Sequence, residues 1–111
     1  MRVLFVCHYN RKRSATAERI FGKHPELDVR SAGTSEDALV RVNQRMLEWA
    51  ETIFIMDDEQ RRELGRMFPG HPALVRLVCL DILDRYDFLD PTLVTLLRER
   101  TAPYLPGPKA E

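Results

Sequence analysis

The stretch that decides the fold is Val3-Leu4-Phe5-Val6-Cys7-His8-Tyr9-Asn10-Arg11-Lys12-Arg13-Ser14. Its first four residues form a short apolar run, which is typical of a strand covered on both faces in a parallel sheet. Residues 15–21 follow with the pattern of a helix. The residues between them therefore form a loop from a strand end to a helix N-terminus, where backbone N–H groups and the helix dipole favour an anion.

Cys7 and Arg13 lie at the two ends of this loop, and their side chains suit a bound phosphate. A cysteine reacts as the thiolate, which a helix N-terminus and a nearby arginine stabilise. A guanidinium can bind a tetrahedral oxyanion with two parallel hydrogen bonds. The pattern favours nucleophilic phosphoryl transfer; the alternatives are that Cys7 is a buried small hydrophobic residue and Arg13 a solvated surface residue.

The rest of the chain alternates strands and helices. Further strands are predicted at 28–32, 52–56 and 74–82, and helices from about Ser14 to Lys23 or His24, over 39–49, from 57 to the Pro69-Gly70 break, and from Asp90 onward. This alternation predicts a doubly wound α/β fold, whose ligands bind beyond the carboxyl ends of the strands. One domain is expected over 1–102, with an irregular proline-rich tail over 103–111.

Composition narrows the function classes. The 17 Lys and Arg balance 17 Asp and Glu, so the chain lacks the basic excess of a general nucleic-acid or membrane-surface binder. We expect no signal peptide, no membrane span and no metal site. We expect a cytoplasmic location because a free nucleophilic thiol favours a reducing compartment. The second cysteine, Cys79, lies in an apolar run and is predicted to be buried.

The loop resembles the phosphate loop of the low-molecular-weight protein tyrosine phosphatase family, in its short bacterial branch. That loop consists of cysteine, two residues, asparagine, two residues, arginine, and serine or threonine, positions held here by Cys7, Asn10, Arg13 and Ser14. The similarity extends over most of residues 1–100, through segments 31–34, 53–57 and 84–86. It implies a single-domain four-stranded parallel sheet in the order 2-1-3-4, with helices on both faces.

The resemblance also implies roles for individual residues. Cys7 is the nucleophile, Arg13 binds phosphate, and Asp84 is the general acid. The phosphate-binding segment comprises His8, Tyr9, Asn10, Arg11, Lys12, Arg13 and Ser14. Asn10 suits the left-handed backbone of a tight loop, and its amide can hold the loop closed. Ser14 either donates a hydrogen bond to the Cys7 thiolate or caps the first helix, or does both.

The general acid has competitors in Asp81, Asp87 and Asp90. Asp90 precedes a proline and fits a helix cap, and Asp81 still lies in the strand pattern. Asp84 is preferred because Tyr86 follows it two residues later, as an aromatic does in the family. Tyr86 is expected either to form a wall of the substrate site or to lie at the edge of the core.

Several positions depart from the family pattern. Tyr9 replaces a glycine, Lys12 replaces a frequent second cysteine, and His8 stands where the family is usually apolar. The segment between Gly33 and the third strand is shorter than in the family. Since that segment normally supplies one wall of the cleft, we expect a shallower and more open site.

The sequence thus predicts a phosphate-monoester hydrolase, with a protein tyrosine phosphatase as the specific hypothesis and a cysteinyl-phosphate as its intermediate. Expected partners are a phosphorylated protein or small phosphate monoester, with inorganic phosphate as product; no cofactor, nucleic acid or membrane partner is expected. The alternatives are a non-catalytic phosphate-binding module and an arsenate reductase. Thioredoxin-linked reductases of this type need two further cysteines, and this chain has only Cys79 besides Cys7.

Overall fold

The computed structural model describes residues 1–107. Its elements in chain order are β1 (Arg2–Cys7), α1 (Arg13–Phe21), β2 (Asp28–Gly33), α2 (Gln44–Trp49), β3 (Thr52–Ile55), α3 (Asp58–Met67), a 3₁₀ helix (Pro72–Arg76), β4 (Leu77–Cys79) and α4 (Pro91–Thr101). None of the helices over these residues has the length and apolarity needed to cross a membrane.

All four strands are parallel and lie in the order β2-β1-β3-β4, so the predicted fold and strand order are confirmed. The register pairs Cys7 with Gly33 on one side of β1 and Val6 with Ile55 on the other. The carboxyl ends of β1, β2 and β3 therefore meet at one edge of the sheet. The loop after Cys7 opens at this edge, where the strand order reverses and α/β proteins bind their ligands.

Each face of the sheet carries its own hydrophobic cluster. The first cluster joins strand residues such as Phe5 and Phe54 to the apolar sides of α1 and α4. The second joins the alternate strand residues, such as Leu4 and Ile53, to α2, α3 and the 3₁₀ helix. Since successive strand side chains point to opposite faces, the continuous apolar run at the N-terminus supplies both clusters.

Two predicted elements are shorter than expected. The helix predicted over 39–49 begins only at Gln44, after Asn43 caps the Met46 N–H at 2.9 Å, and Leu39 is 62% exposed. The physical reason is that residues before Asn43 use their backbone N–H groups elsewhere: Leu39 donates to the Tyr9 carbonyl and Val42 to that of Gly33. This segment braces the Cys7 loop instead of forming a helical turn.

The fourth strand was predicted over 74–82 but covers only Leu77–Cys79. On its N-terminal side Pro72 opens the 3₁₀ helix, which runs to Arg76. On its C-terminal side Asp81 has a left-handed backbone, with φ 54°, which ends the regular extended conformation. The bond from the Leu80 N–H to the Ile55 carbonyl still holds the following residues against β3.

Helix α1 is shorter than predicted, and the C-terminal segment packs against the domain. Helix α1 begins at Arg13 and ends at Phe21, so His24 lies beyond it. At the C-terminus, Leu105 packs against the cluster around Phe5, and the ring of Tyr104 lies 5.8 Å from that of Phe54. The predicted tail thus begins with residues in contact with the domain, while its last four, 108–111, lie outside the described residues.

Candidate active site

The loop between β1 and α1 is held open as a cradle by the segment that follows β2. The carbonyls of Cys7, His8 and Tyr9 accept hydrogen bonds from the N–H groups of Thr34, Ser35 and Leu39, respectively. In a planar trans peptide the next N–H points away from the carbonyl, so the amides of residues 8–10 face the opposite side. The amides of His8 and Tyr9 are thereby aimed into the loop and available to an anion, while that of Asn10 donates to the Cys7 sulfur.

Gly33 makes this close approach possible. A Cβ at this position would overlap the His8 carbonyl oxygen and would lie 2.7 Å from the Ala38 Cβ. The role of this glycine is therefore the close packing of strand β2 against the loop. Asn10 provides the other special conformation, with φ 57°, as predicted for a tight turn around an anion.

The sulfur of Cys7 lies at the base of the loop, and the residue is only 3% exposed. The Asn10 backbone N–H donates to Sγ at 3.3 Å, and the Ser14 Oγ lies 2.9 Å from Sγ. Each of these groups can donate a hydrogen bond to a negative charge on the sulfur. Ser14 does not cap α1: Lys12 occupies the cap position without a side-chain hydrogen bond.

A chain of hydrogen bonds fixes which way the Ser14 proton points. The Ser31 hydroxyl donates to Glu18 Oε1, so its oxygen is left as the acceptor for Asn10 Nδ2 at 2.9 Å. The other hydrogen of Nδ2 goes to Ser14 Oγ at 2.8 Å. Ser14 therefore keeps its own proton for Cys7 Sγ or for the Ala32 carbonyl at 3.3 Å. With a thiolate at Cys7, the nearer and charged acceptor takes it.

Arg13 is buried, with 3% of its side chain exposed, and hydrogen bonds from one of its nitrogens, Nη1, hold its guanidinium in place. Its Nη1 donates to Asp57 Oδ2 at 2.7 Å and to the Ile82 carbonyl at 2.8 Å, which uses both Nη1 hydrogens. Among residues 1–107, no group accepts a hydrogen bond from Nε or Nη2, although Asp84 Oδ1 lies 3.8 Å from Nε. These two nitrogens form the edge of the guanidinium that suits a bidentate oxyanion.

The candidate acids occupy different positions. Asp84 is 53% exposed and lines the same cavity as Cys7 and Arg13. Asp87 lies outside that cavity lining, with its carboxylate 3.7 Å from Lys12 Nζ. Asp90 caps α4 by accepting from the Thr92 N–H at 2.8 Å, as expected for a cap. Asp84 is thus the only one of the predicted candidates that lines the cavity.

The cavity has a volume of about 180 Å³, the size of a small anionic group with part of its substituent. It is lined by Cys7, Tyr9, Arg11, Lys12, Arg13 and Asp84. Tyr9 is 45% exposed and supplies the aromatic wall. The wall residue named from the sequence, Tyr86, instead packs against the cluster around Phe5. No lining residue comes from segment 34–51, which agrees with an open cleft on that side.

Not every side chain of the loop faces the cavity. His8 turns toward α3, where its Nδ1 lies 3.1 Å from Glu63 Oε2. Arg11 does line the cavity, while its guanidinium donates to the Asp37 carbonyl at 3.4 Å. Asn10 and Ser14 act through the buried hydrogen-bond chain below the cavity. Within this loop, His8 can therefore offer phosphate only its backbone amide, whereas the Asn10 amide donates to the Cys7 sulfur.

Sequence reasoning missed Asp57, Ser31 and Glu18. Asp57 begins the third predicted helix, and it caps α3 by accepting from the Glu59 N–H at 2.9 Å. Its second oxygen binds Arg13. The signal that could have revealed this contact is its position directly after β3, next to β1 at the ligand edge of the sheet.

The prediction that Cys79 is buried is wrong. It ends β4 at the edge of the sheet and is partly exposed, with its Sγ 3.4 Å from Asp81 Oδ1. Burial is the largest cause that raises the pKa of this thiol, and the Asp81 carboxylate also contributes in that direction. Cys79 packs with the cluster around Leu4, whereas Cys7 packs with the cluster around Phe5 on the other face.

The sequence matches no protein-family model and no curated protein. Solved structures do match. The tyrosine phosphatase Wzb from Escherichia coli K30, in complex with phosphate, has a TM-score of 0.74 and 17% identity, over 93% of this chain and 94% of that one. The low-molecular-weight protein tyrosine phosphatase SP-PTP from Streptococcus pyogenes has a TM-score of 0.71 and 14% identity, over 95% and 93%.

A third match is a variant of the arginine phosphatase YwlE in which serine replaces the active-site cysteine and is phosphorylated. Its TM-score is 0.68, with 20% identity over 93% of this chain and 95% of that one. At these identities the similarity concerns the fold. The chain has the fold of the low-molecular-weight protein tyrosine phosphatases, as the resemblance of its N-terminal loop implied.

Proposed function

We propose that the protein is a cysteine-dependent phosphatase that hydrolyses phosphate monoesters. The observation that carries this proposal is that Cys7, Arg13 and Asp84 all line one cavity of about 180 Å³. These groups correspond to a nucleophile, an oxyanion ligand and a proton donor. The phosphate bound to Wzb and the phosphorylated serine of the YwlE variant support this interpretation.

In the first step the Cys7 thiolate attacks phosphorus, and the bond from phosphorus to the leaving oxygen breaks. Asp84, in its protonated form, gives its proton to that oxygen, so the alcohol or phenol leaves neutral. Nε and Nη2 of Arg13 and the backbone amides aimed into the loop stabilise the charge on the equatorial oxygens. Asp57 has a different role in this scheme: it lies outside the cavity lining and orients Arg13, whose Nη1 donates to its carboxylate at 2.7 Å.

In the second step water attacks the cysteinyl-phosphate and the bond between sulfur and phosphorus breaks. The Asp84 carboxylate accepts a proton from this water, which returns the acid to its starting state. The sulfur leaves as a thiolate, and the Ser14 hydroxyl stabilises it, since the bond from Asn10 leaves the Ser14 proton free. Inorganic phosphate is the product, and every group is restored.

Phosphotyrosine is the proposed substrate, on a phosphorylated protein or as a small monoester. Tyr9 stands half exposed at the cavity wall and can stack on an aryl ring. The absence of lining residues from segment 34–51 leaves room for a peptide beside the ring. Wzb and SP-PTP are tyrosine phosphatases, while YwlE is an arginine phosphatase, so phosphoarginine is the substrate to compare. The cytoplasm, where thiols stay reduced, is the proposed location.

The arsenate reductase alternative needs a thiol that can reach Cys7. Cys79 lies two strands away, since β3 stands between β1 and β4, and the two residues pack on opposite faces. Two strand spacings correspond to about 10 Å between Cα atoms. A disulfide needs about 7 Å or less. The geometry therefore disfavours a Cys7–Cys79 disulfide relay.

The test is hydrolysis of aryl phosphates and phosphotyrosine peptides with a metal chelator present, followed by a rapid acid quench and mass spectrometry of the protein. We expect turnover and a phosphate trapped on Cys7. Turnover without a phosphate on Cys7 would contradict the mechanism. No turnover, with inorganic phosphate still protecting Cys7 from alkylation, would identify the non-catalytic binding module instead. Faster cleavage of phosphoarginine than of phosphotyrosine would identify phosphoarginine as the preferred substrate, as the name of YwlE states for that protein.

A further inference from the structure

A second cluster of ligand-type side chains lies beside the active-site loop, outside the cavity. It consists of His8 from the loop and of Glu59 and Glu63 from α3, and one ligand atom of each lies within 4.8 Å of the other two. The closest pair is His8 Nδ1 and Glu63 Oε2, at 3.1 Å. The Thr34 hydroxyl donates to the other oxygen of Glu63 at 2.8 Å and so orients its carboxylate.

The charges in this cluster are not balanced by basic side chains. Glu59 and Glu63 are four residues apart on one helix, and two like charges at this spacing destabilise a helix. Within residues 1–107 the Glu59 carboxylate has no hydrogen bond or ion pair, and Glu63 contacts only Thr34 and His8. The two carboxylates therefore leave net negative charge beside the His8 imidazole, an arrangement that suits a bound cation.

The ligand set identifies the class of cation. Imidazole nitrogen with two carboxylates suits Zn²⁺ and its neighbours, whereas Mg²⁺ and Ca²⁺ prefer oxygen ligands alone. Zn²⁺ binds such ligands at about 2.0–2.2 Å in a tetrahedron, which places ligand atoms about 3.4 Å apart. The His8–Glu63 pair already has nearly this spacing. Glu59 is exposed, so its side chain is free to complete the third corner.

We infer that His8, Glu59 and Glu63 form a binding site for a divalent transition metal such as Zn²⁺, with water in the fourth position. The metal would lie between His8 Nδ1 and the Glu63 carboxylate, in place of their direct contact. The site would anchor the residue directly after Cys7 to α3, and so tie one side of the phosphate loop to the helix. The inference does not depend on the proposed function, because binding needs neither the thiolate nor turnover.

The test uses a background in which both cysteines are serine, so that no thiolate competes as a ligand. Calorimetric titration with Zn²⁺ should show one site per chain, and nuclear magnetic resonance should show that one of the three histidine imidazoles changes. Adding Glu59→Gln should lower the Zn²⁺ affinity by at least about tenfold. An equal concentration of Mg²⁺ should neither bind nor perturb His8.

The chain offers a matched control in Glu48, whose carboxylate lies 4.0 Å from His71 Nε2 in a pair to which the rest of residues 1–107 adds no third ligand. Glu48→Gln should leave the Zn²⁺ affinity unchanged. The inference is overturned if Zn²⁺ does not bind, if Glu59→Gln binds as tightly as its parent, or if the affected imidazole belongs to His71. Far-ultraviolet circular dichroism of each variant checks that the fold is intact.

Discussion

Cys7 and Cys79 both stand at the carboxyl ends of strands in the same parallel sheet, but the groups around their sulfur atoms are of opposite kinds. Cys7 Sγ is surrounded by donors: the Asn10 N–H at 3.3 Å and the Ser14 hydroxyl at 2.9 Å. Cys79 Sγ faces an acceptor, the Asp81 carboxylate at 3.4 Å. Donors of this kind suit a negatively charged sulfur, whereas burial and the Asp81 carboxylate raise the pKa of the Cys79 thiol, against a smaller opposing effect of the Asp81 backbone.

The difference arises from what the chain does after each strand. After β1 it turns at once into α1, so the sulfur lies near a helix N-terminus and its aligned amides. After β4 there is no helix until Pro91, and the intervening backbone is irregular. A strand-end cysteine therefore becomes a candidate nucleophile through the loop that follows it. Position in the sheet alone does not select it.

The largest expected effect comes from exchanging each sulfur for oxygen. Cys7→Ser should lower kcat for an aryl phosphate by at least about 10⁴-fold, because the hydroxyl is a far weaker nucleophile at neutral pH. Cys79→Ser should stay within about twofold of the parent. Thermal unfolding of both variants serves as the control for folding. Equal losses of kcat in the two variants would show that Cys7 and Cys79 do not differ in their importance for the reaction.

The two aspartates that accompany the cysteines should also differ. Asp84→Asn should lower kcat/KM for phosphotyrosine by about 10²–10⁴-fold and affect a nitrophenyl phosphate much less, since a good leaving group needs no proton. Asp81→Asn is the matched control and should show no dependence on the leaving group. Asparagine tolerates the positive φ at Asp81, so this control keeps its backbone. A steep dependence on the leaving group in Asp81→Asn would show that the assignment of the general acid to Asp84 is wrong.

A smaller effect is expected when one donor to the Cys7 sulfur is removed. Ser14→Ala should lower kcat by about 10–100-fold, since a hydrogen bond to a charged group contributes about 1.5–3 kcal/mol. Alkylation of Cys7 by iodoacetamide at pH 7 should become slower. Ser31→Ala removes an acceptor of Asn10 but leaves the Ser14–Cys7 contact, and its effect should be smaller. The reverse order would mean that Ser14 serves only the loop's conformation.

The local parts of this arrangement could be predicted from the sequence. The apolar run before Cys7, the helical pattern after it and the left-handed preference of Asn10 are all properties of adjacent residues. They gave the strand, the loop and the helix that form the cradle. The alternation of elements gave the parallel sheet, and the resemblance of the loop gave the strand order.

The partners of side chains distant in sequence could not be predicted in the same way. Arg13 binds Asp57 and the Ile82 carbonyl, and His8 turns to Glu63, because tertiary packing brings those groups within reach. The pattern of 74–82 indicated a long strand, but the turn opened by Pro72 shortened it. Local periodicity does not say which of several apolar residues will pair in the sheet.

The smallest expected effect concerns Cys79 itself. Burial raises the pKa of this thiol above its ordinary value, and the Asp81 carboxylate adds to the effect, so at neutral pH the folded protein holds the proton more firmly than the unfolded chain does. Alkylation of Cys79 should therefore be slow at pH 7 and should accelerate as the pH rises through the raised pKa. Asp81→Asn should speed alkylation at pH 7 by only a few-fold, less than the tenfold that one pKa unit represents, because burial is the larger cause and is unchanged. Mass spectrometry of alkylated peptides measures both cysteines in one sample, and Cys7 provides the internal reference, since its rate should not change. A change in Cys79 of well over tenfold would make the carboxylate the dominant cause, and a slower rate in the variant would contradict the sign of its effect.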